Sequence, residues 1–368
     1  MTLDQGGDGS DRSGGALASS LGLDERRFAL PGERRFARAI EDGLVLVEAE
    51  LQAEIRFADE LADVSGRYLL EAGGKRVRPV LALLTSQLGN GATPEVVLAA
   101  AAIEITHLAS LYHDDVMDEA VLRRGVPSAH TVYGNSIAII TGDLLFARAS
   151  RLIADLGIEA LRMQADTFER LCLGQLHELS GPAEGADPIE HYISVLSDKT
   201  GSLIATAAES GVRFSGADPA HIPAVRTYGE RVGIAFQLAD DVIDITDARE
   251  TTGKAPGTDL RAGVPTMPML LLRRAAVTDP EAAALAARID AIAAGDGDLD
   301  AVAADRAERD DAFLAVVAEL RAHDVAKQTI AEAHRWAAAA LAALEPLPAG
   351  PVKRALTEFA DRVVERDA

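Results

Sequence analysis

The chain has 368 residues, of which 48% are hydrophobic, enough to bury a sizeable core. Only 4% are aromatic, and Ala and Leu are prominent, which favours helices over sheets. The net charge of −22 argues against a general nucleic-acid or anionic-membrane surface, and the lone Cys172 excludes an intrachain disulfide and any cysteine-rich zinc site.

The first residues, Met1 to Ser20, are rich in Gly, Ser and Asp and carry neither the basic nor the apolar region of a signal peptide. Residues 1–25 are therefore expected to be a tail without fixed structure, and 26–368 a single all-α domain of roughly ten or more packed helices. From about Glu33 the pattern is helical almost throughout. It is broken at Gly73-Gly74, Gly89-Asn90-Gly91, Gly181-Pro182, Gly216 to Pro219 and Gly253 to Gly263. Thr93-Pro94 and Asp218-Pro219 each read as an N-cap followed by an N1 proline.

Gly73-Gly74-Lys75-Arg76-Val77-Arg78-Pro79 runs into the apolar stretch Val80 to Leu84. Proline biases Arg78 towards an extended backbone, so the glycines should lead the chain to a helix N-terminus. Such an end attracts anions, and Lys75 and Arg78 add full charges beside it. The bland reading is an ordinary basic loop.

The apolar run Val96 to Leu111 is interrupted by Glu104 and His107, and no run reaches the length of a spanning helix, so a soluble, cytoplasmic protein is expected. Just beyond Asp118 come Arg123 and Arg124, whose side chains point in different directions. One arginine can reach a metal-bound diphosphate and the other a second, metal-free one, a task that suits the planar guanidinium. Ile137 to Ile140 is the best strand candidate, but its continuation to Ala147 makes it one buried helix. The Ala- and Asp-rich segment from Ala275 to Asp311 reads as a solvated helix, a loop and another helix.

The most informative feature is a pair of clusters: Asp114-Asp115-Val116-Met117-Asp118 and Asp240-Asp241-Val242-Ile243-Asp244. Each places carboxylates at i, i+1 and i+4 in a helical stretch, so the first and last stack one turn apart on one face. Like charges at that spacing repel, and a cation must offset them. Mg²⁺ suits the role, because it takes one or two carboxylates and completes its shell with water and phosphate oxygens. Two clusters thus point to several Mg²⁺ ions bridging carboxylates and a diphosphate. A lone cluster is more often a solvated acidic face. Two copies, preceded by apolar runs at Leu108 to Tyr112 and Ile234 to Ala239, are hard to place on one. His107, Lys199-Thr200, Phe236-Gln237 and Lys254 are further candidates, each with an ordinary structural alternative: a core histidine, a partner for Asp198, a packing ring.

These motifs, in this order from about Gly73 to Pro268, resemble the trans-isoprenyl diphosphate synthases, which join isopentenyl diphosphate to an allylic diphosphate. The resemblance implies an all-α fold of the isoprenoid synthase type and a homodimer. It gives Gly74, Lys75, Arg78, His107 and Arg124 to isopentenyl diphosphate, and Asp114, Asp115, Asp118, Asp240, Asp241 and Asp244 to Mg²⁺ or its close support. Arg123, Lys199, Thr200, Gln237 and Lys254 match contacts to the allylic diphosphate. Among all of these, Asp114, Asp118, Arg123, Lys199, Asp240 and Lys254 are expected to act in catalysis. The family often carries a lysine where this chain has Val264, with Arg261 nearby.

The growing chain is implied to run beside the helix carrying Asp114, towards that helix's N-terminal end. Ala109 and Ser110, then Ile105 and Thr106, lie about one and two turns below Asp114 and present no aromatic floor. This favours a long all-trans polyprenyl product, of the kind used as a quinone side chain, over a farnesyl- or geranylgeranyl-sized one. The rivals are a short-chain synthase, a class I terpene cyclase, a non-catalytic partner subunit and a purely structural helical protein. A cyclase has no need of a second diphosphate site, and neither a partner subunit nor a structural protein needs both acidic clusters.

Overall fold

The computed structural model describes residues 31–246, 257–261, 263–295 and 303–365. The expected N-terminal tail and Lys254 lie outside the described residues. Among the described residues the fold is all-α apart from one two-stranded hairpin. Contacts divide it into two compact units: Met1–Glu169, Ser202–Glu230 and Leu341–Arg362 in the first, Arg170–Gly201, Arg231–Ala340 and Val363–Ala368 in the second.

The first unit begins with α1 (Pro31–Glu54), α2 (Glu60–Glu71) and α3 (Val77–Ser86). Its centre is α4 (Pro94–Met117), whose N-terminus is closed by the Thr93 hydroxyl accepting from Val96 N at 3.3 Å, with Pro94 in the first turn. Length and composition would let α4 cross a membrane, yet 83% of its most apolar stretch is buried inside the fold. It packs against α1, α3, α6 (Asn135–Asp155) and α9 (Ser202–Phe214). Gly142 of α6 permits a close approach to α4, since a Cβ there would lie 2.3 Å from His113 Nε2.

Ile137 to Ala147 is helical as expected, but it is not buried all round: Ile139 and Ile140 are 42% and 58% exposed. After α4 the chain also forms a hairpin that period-based reading missed, β1 (Leu122–Arg123) and β2 (Val126–Pro127). Arg124 and Gly125 both have positive φ, 53° and 78°, the backbone that a two-residue hairpin turn requires. The short helix α5 (Ala129–Tyr133) follows, and α7 (Ile158–Ser180) supplies residues to both units.

The second unit contains α8 (Pro188–Leu196), a π-helical turn at Ser197–Gly201, and the later part of α10 (Ile222–Ile245). Asp218 Oδ1 accepts from Ala220 N at 2.9 Å, so the expected cap opens a 3₁₀ turn ahead of α10. Then come α11 (Thr258–Arg261), α12 (Met267–Ala275), α13 (Pro280–Gly295), α14 (Ala303–Ala322) and α15 (Asp324–Ala343). The last helix is α16 (Pro351–Val364). The Ala- and Asp-rich segment is two helices, but not merely solvated ones. Leu285, Ile289, Phe313, Val316 and Leu320 join Leu238, Met269 and Leu272 in one buried cluster.

Candidate active site

The basic loop turns at Gly74, whose φ of 150° suits glycine, and a Cβ there would meet Arg76 Nη1 at 2.6 Å and Arg124 Cζ at 3.1 Å. Two guanidinium groups can therefore lie against this backbone only because no side chain intervenes. The helix starts earlier than the proline suggested. Arg76 caps α3 with φ 48°, and Arg78 is already helical rather than extended.

Arg76, absent from the sequence-based candidates, is the fixed point of the loop. It is 6% exposed, pairs with Glu48 Oε2 at 2.9 Å and reaches Glu104 Oε1 at 3.4 Å. Burial works against its charge, but the two carboxylates outweigh this and raise its pKa. Glu104, an acid inside an otherwise apolar run, was the signal that an internal cation had to exist. Arg124 donates Nη1 to the carbonyl oxygens of Leu69, at 2.6 Å, and Gly73.

Around these lie Arg78 and His107. Burial pushes the Arg78 pKa down to about 10, with Glu104 opposing and Arg124 adding to the shift, and Arg78 Nε is buried without a partner. His107 is held well below its usual pKa by burial and then by Arg78, Arg124, Arg123 and Arg76, so it is neutral at pH 7. The structure thus brings together Gly74, Arg78, His107 and Arg124. Three guanidinium groups, at Arg76, Arg78 and Arg124, gather beside the carboxylates of Glu48 and Glu104. An anion fits this surplus. Lys75 is exposed on the same loop.

The first acidic cluster ends α4. Asp118 is exposed and Asp114 half-buried, whereas Asp115 is fully buried. Its Oδ1 accepts from both Nε and Nη2 of Arg123 at 2.6 Å, and its Oδ2 is buried without a partner. Burial nonetheless raises its pKa, with Arg123 opposing. Arg123, read as a diphosphate contact, is thus tied to the cluster itself through the hairpin.

In the second unit, Asp240 and Asp244 are half-buried on α10, and Asp244 Oδ2 accepts from Asp259 N at 3.2 Å. Asp241 is 5% exposed; both its oxygens accept from Tyr192 Oη, at 2.8 and 3.0 Å, and Oδ2 also from Met267 N at 2.9 Å. Burial pushes its pKa up to about 8. No local signal could have revealed Tyr192, which lies 49 residues away. Lys199 sits on the π turn and pairs with Glu178 at 2.5 Å, while Asp198 pairs with Arg170 at 2.7 Å. Gly174 makes room for this turn, because a Cβ would lie 2.7 Å from Lys199 N. Thr200, Phe236 and Gln237 are half-buried. Arg261, near Val264, pairs with Asp310 at 2.8 Å and lies 4.3 Å over the Phe313 ring.

Among the described residues, no three acidic, histidine or cysteine side chains converge on one point. That fits a hard cation held by one or two carboxylates and completed by phosphate oxygens, and it does not fit an all-protein cage. The buried, unpartnered Asp115 Oδ2 and the oxygen-only donor set suit the same ion.

A helical fold with acidic clusters on two helices and a cationic pocket beside a helix N-terminus defines a protein that handles diphosphate esters. Residues 59–303 match the polyprenyl synthetase family model. The nonaprenyl diphosphate synthase of Mycobacterium tuberculosis is 44% identical over 339 residues, 91% of this chain and 96% of that protein. A polyprenyl synthase from Caulobacter crescentus, solved with calcium and isoprenyl diphosphate, superposes with a TM-score of 0.76 at 32% identity, covering 91% of this chain and 98% of that one. The geranylgeranyl pyrophosphate synthase from Corynebacterium glutamicum, also solved with calcium and isoprenyl diphosphate, gives 0.75 at 38%, covering 92% and 98%. This chain belongs to the polyprenyl synthetase family, and it is a prenyltransferase.

Proposed function

We propose that the protein condenses isopentenyl diphosphate with an allylic diphosphate and repeats the step to make a long all-trans polyprenyl diphosphate. The observation that carries this reading is the cationic pocket of the first unit, where Arg78 keeps a buried Nε unpartnered and His107 is neutral. It supplies a metal-free diphosphate site, which a cyclase does not need. Gly74, Lys75, Arg78, His107 and Arg124 bind isopentenyl diphosphate there. The long product is supported by the M. tuberculosis relative and by small or aliphatic residues at Ala109, Ser110, Ile105 and Thr106, all buried on α4. A second reading, a geranylgeranyl-sized product, is favoured by the likeness to the C. glutamicum enzyme.

Asp114, Asp118, Asp240 and Asp244 are the residues that would hold Mg²⁺, with Asp115 and Asp241 supporting them from inside. Bound there, the ion would stabilise negative charge on the departing diphosphate. Arg123 orients Asp115, and Lys199, Thr200 and Gln237 hold the allylic diphosphate as it takes up the electron pair of the breaking C–O bond. The apolar walls keep water from the allylic cation. The double bond of isopentenyl diphosphate then attacks the cation, and a proton passes from the new cation to the released diphosphate. No side-chain nucleophile is required. We further propose a cytoplasmic homodimer, supported by the exposed apolar residues Ile139, Ile140 and Leu144 of α6.

The test is an assay with Mg²⁺, an allylic diphosphate and labelled isopentenyl diphosphate, followed by chain-length analysis. Long polyprenyl products support the proposal. Products that stop at geranylgeranyl size support the second reading, and a cyclised terpene with no uptake of label overturns both.

A further inference from the structure

Asp114, Ser110 and Thr106 recur at four-residue intervals and so stack along one face of α4. Thr106 lies about 12 Å below Asp114 along the axis. At that level Gln164 of α7 donates Nε2 to Thr106 Oγ1 at 2.8 Å, with both side chains buried. Thr106 in turn donates to Ala102 O at 2.9 Å, which leaves its oxygen as the acceptor for the amide. Gln164 Oε1, at the other end of the amide, is buried without a partner. Packing alone does not explain an amide here, because an apolar side chain of similar volume would leave no orphaned oxygen. One turn further along α7, the Phe168 ring lies 4.4 Å from that of Phe146, which lies 5.5 Å from that of His113. Phe146 belongs to α6, so a ladder of rings from α7 through α6 reaches His113, next to Asp114, with the small Ser110 on α4 between the two levels.

We propose that the Gln164–Thr106 hydrogen bond is a gate on the growing prenyl chain, and that Gln164 is a specificity-determining residue for product length. This rests on the proposed course of the chain beside α4. A tail descending from a diphosphate near Asp114 meets the pair after roughly two to three isoprene units. Hydrocarbon offers neither group a hydrogen bond, so elongation past this level requires the pair to part, while a shorter tail leaves it closed. Farnesyl- to geranylgeranyl-sized chains consequently accumulate before longer ones appear.

The experiment is a product ladder measured with labelled isopentenyl diphosphate in limiting amount. The wild type should show a pause at farnesyl to geranylgeranyl size. Gln164→Leu keeps the volume without the amide, and Thr106→Val keeps the shape without the hydroxyl. Each should reduce the paused species about threefold to tenfold, the effect of one neutral hydrogen bond on a rate. Thr167→Val cuts a neighbouring bond between α7 and α9, Thr167 Oγ1 to Thr206 Oγ1 at 2.7 Å, and should leave the ladder unchanged. A wild-type ladder without the pause, variant ladders that match the wild type, or an equal change with Thr167→Val overturns the gate. Should Gln164→Leu fail to fold, Thr106→Val reads the same band. Ala109→Phe separates this failure from that of the underlying reading: it should shorten all products if the chain runs beside α4. If it does so while the pause is indifferent to Gln164 and Thr106, only the gate is wrong; if it does not, the course of the chain is wrong as well.

Discussion

The clusters at Asp114–Asp118 and Asp240–Asp244 space their carboxylates identically, yet their central residues meet opposite surroundings. Asp115 faces a guanidinium at 2.6 Å and keeps one oxygen without a partner. Asp241 accepts from a phenol and a backbone amide, and burial lifts its pKa to about 8. The first centre pairs with Arg123, beside Arg124 of the cationic pocket; the second anchors Tyr192 and the start of α12 to α10. Repetition of a motif therefore does not repeat its central role. What the clusters share is the outer pair, one helical turn apart.

The largest effect should come from that shared feature. Asp114→Asn or Asp240→Asn removes a charge with little change in shape, and turnover should fall on the order of 100-fold or more for either. Steady-state assays in Mg²⁺ check this. Near-normal turnover of both variants, with native circular dichroism, would break the symmetry of function between the outer residues. The next effect isolates the cationic pocket. Arg78→Ala should raise KM for isopentenyl diphosphate about 10- to 100-fold, the worth of a charged hydrogen bond, with far less change for the allylic substrate. An equal rise for both substrates would assign the pocket wrongly.

Fold class and the position of both clusters were legible because helical periodicity, proline-led caps at Thr93 and Asp218, and glycine breaks all act within a few residues. The loop at Gly73 to Pro79 was legible as a basic turn into a helix by composition, but its fixed point was not. Arg76 is distinguished from Lys75 and Arg78 only by Glu48 and Glu104, each 28 residues distant in sequence. The hairpin escaped because strands of two residues have no period, although Arg124-Gly125 carried a turn signal. The exposure of Ile139 and Ile140 was hidden for another reason: apolar pattern marks a face that seeks a partner, and it does not say which partner.

A smaller effect tests the central aspartates directly. Asp241→Asn turns an amide towards donors that need an acceptor, so it should lose about 1–3 kcal/mol of stability, read from urea unfolding. Tyr192→Phe should lose part of the same amount, and the double variant less than the sum, because the two share one contact. Full additivity would show that Asp241 does not anchor Tyr192.

The smallest effect concerns His107. Its pKa in the folded protein lies below the usual 6.5, because burial and the neighbouring arginines disfavour the imidazolium. The unfolded chain therefore binds more protons than the folded one once the pH falls below about 6.5, and stability falls with it. The slope is at most about 1.4 kcal/mol per pH unit from this one group, and it ends where the folded histidine itself protonates. Above about pH 8 the residue contributes no slope. His107→Gln cannot titrate, so its urea midpoint should fall less than the wild type's between pH 7 and 5.5. An anion beside Arg78 and Arg124 favours the imidazolium, so saturating isopentenyl diphosphate should flatten the wild-type slope as well. A wild-type slope identical to that of His107→Gln would mean that burial and the arginines do not hold His107 neutral, and the electrostatic account of the pocket would fall with it.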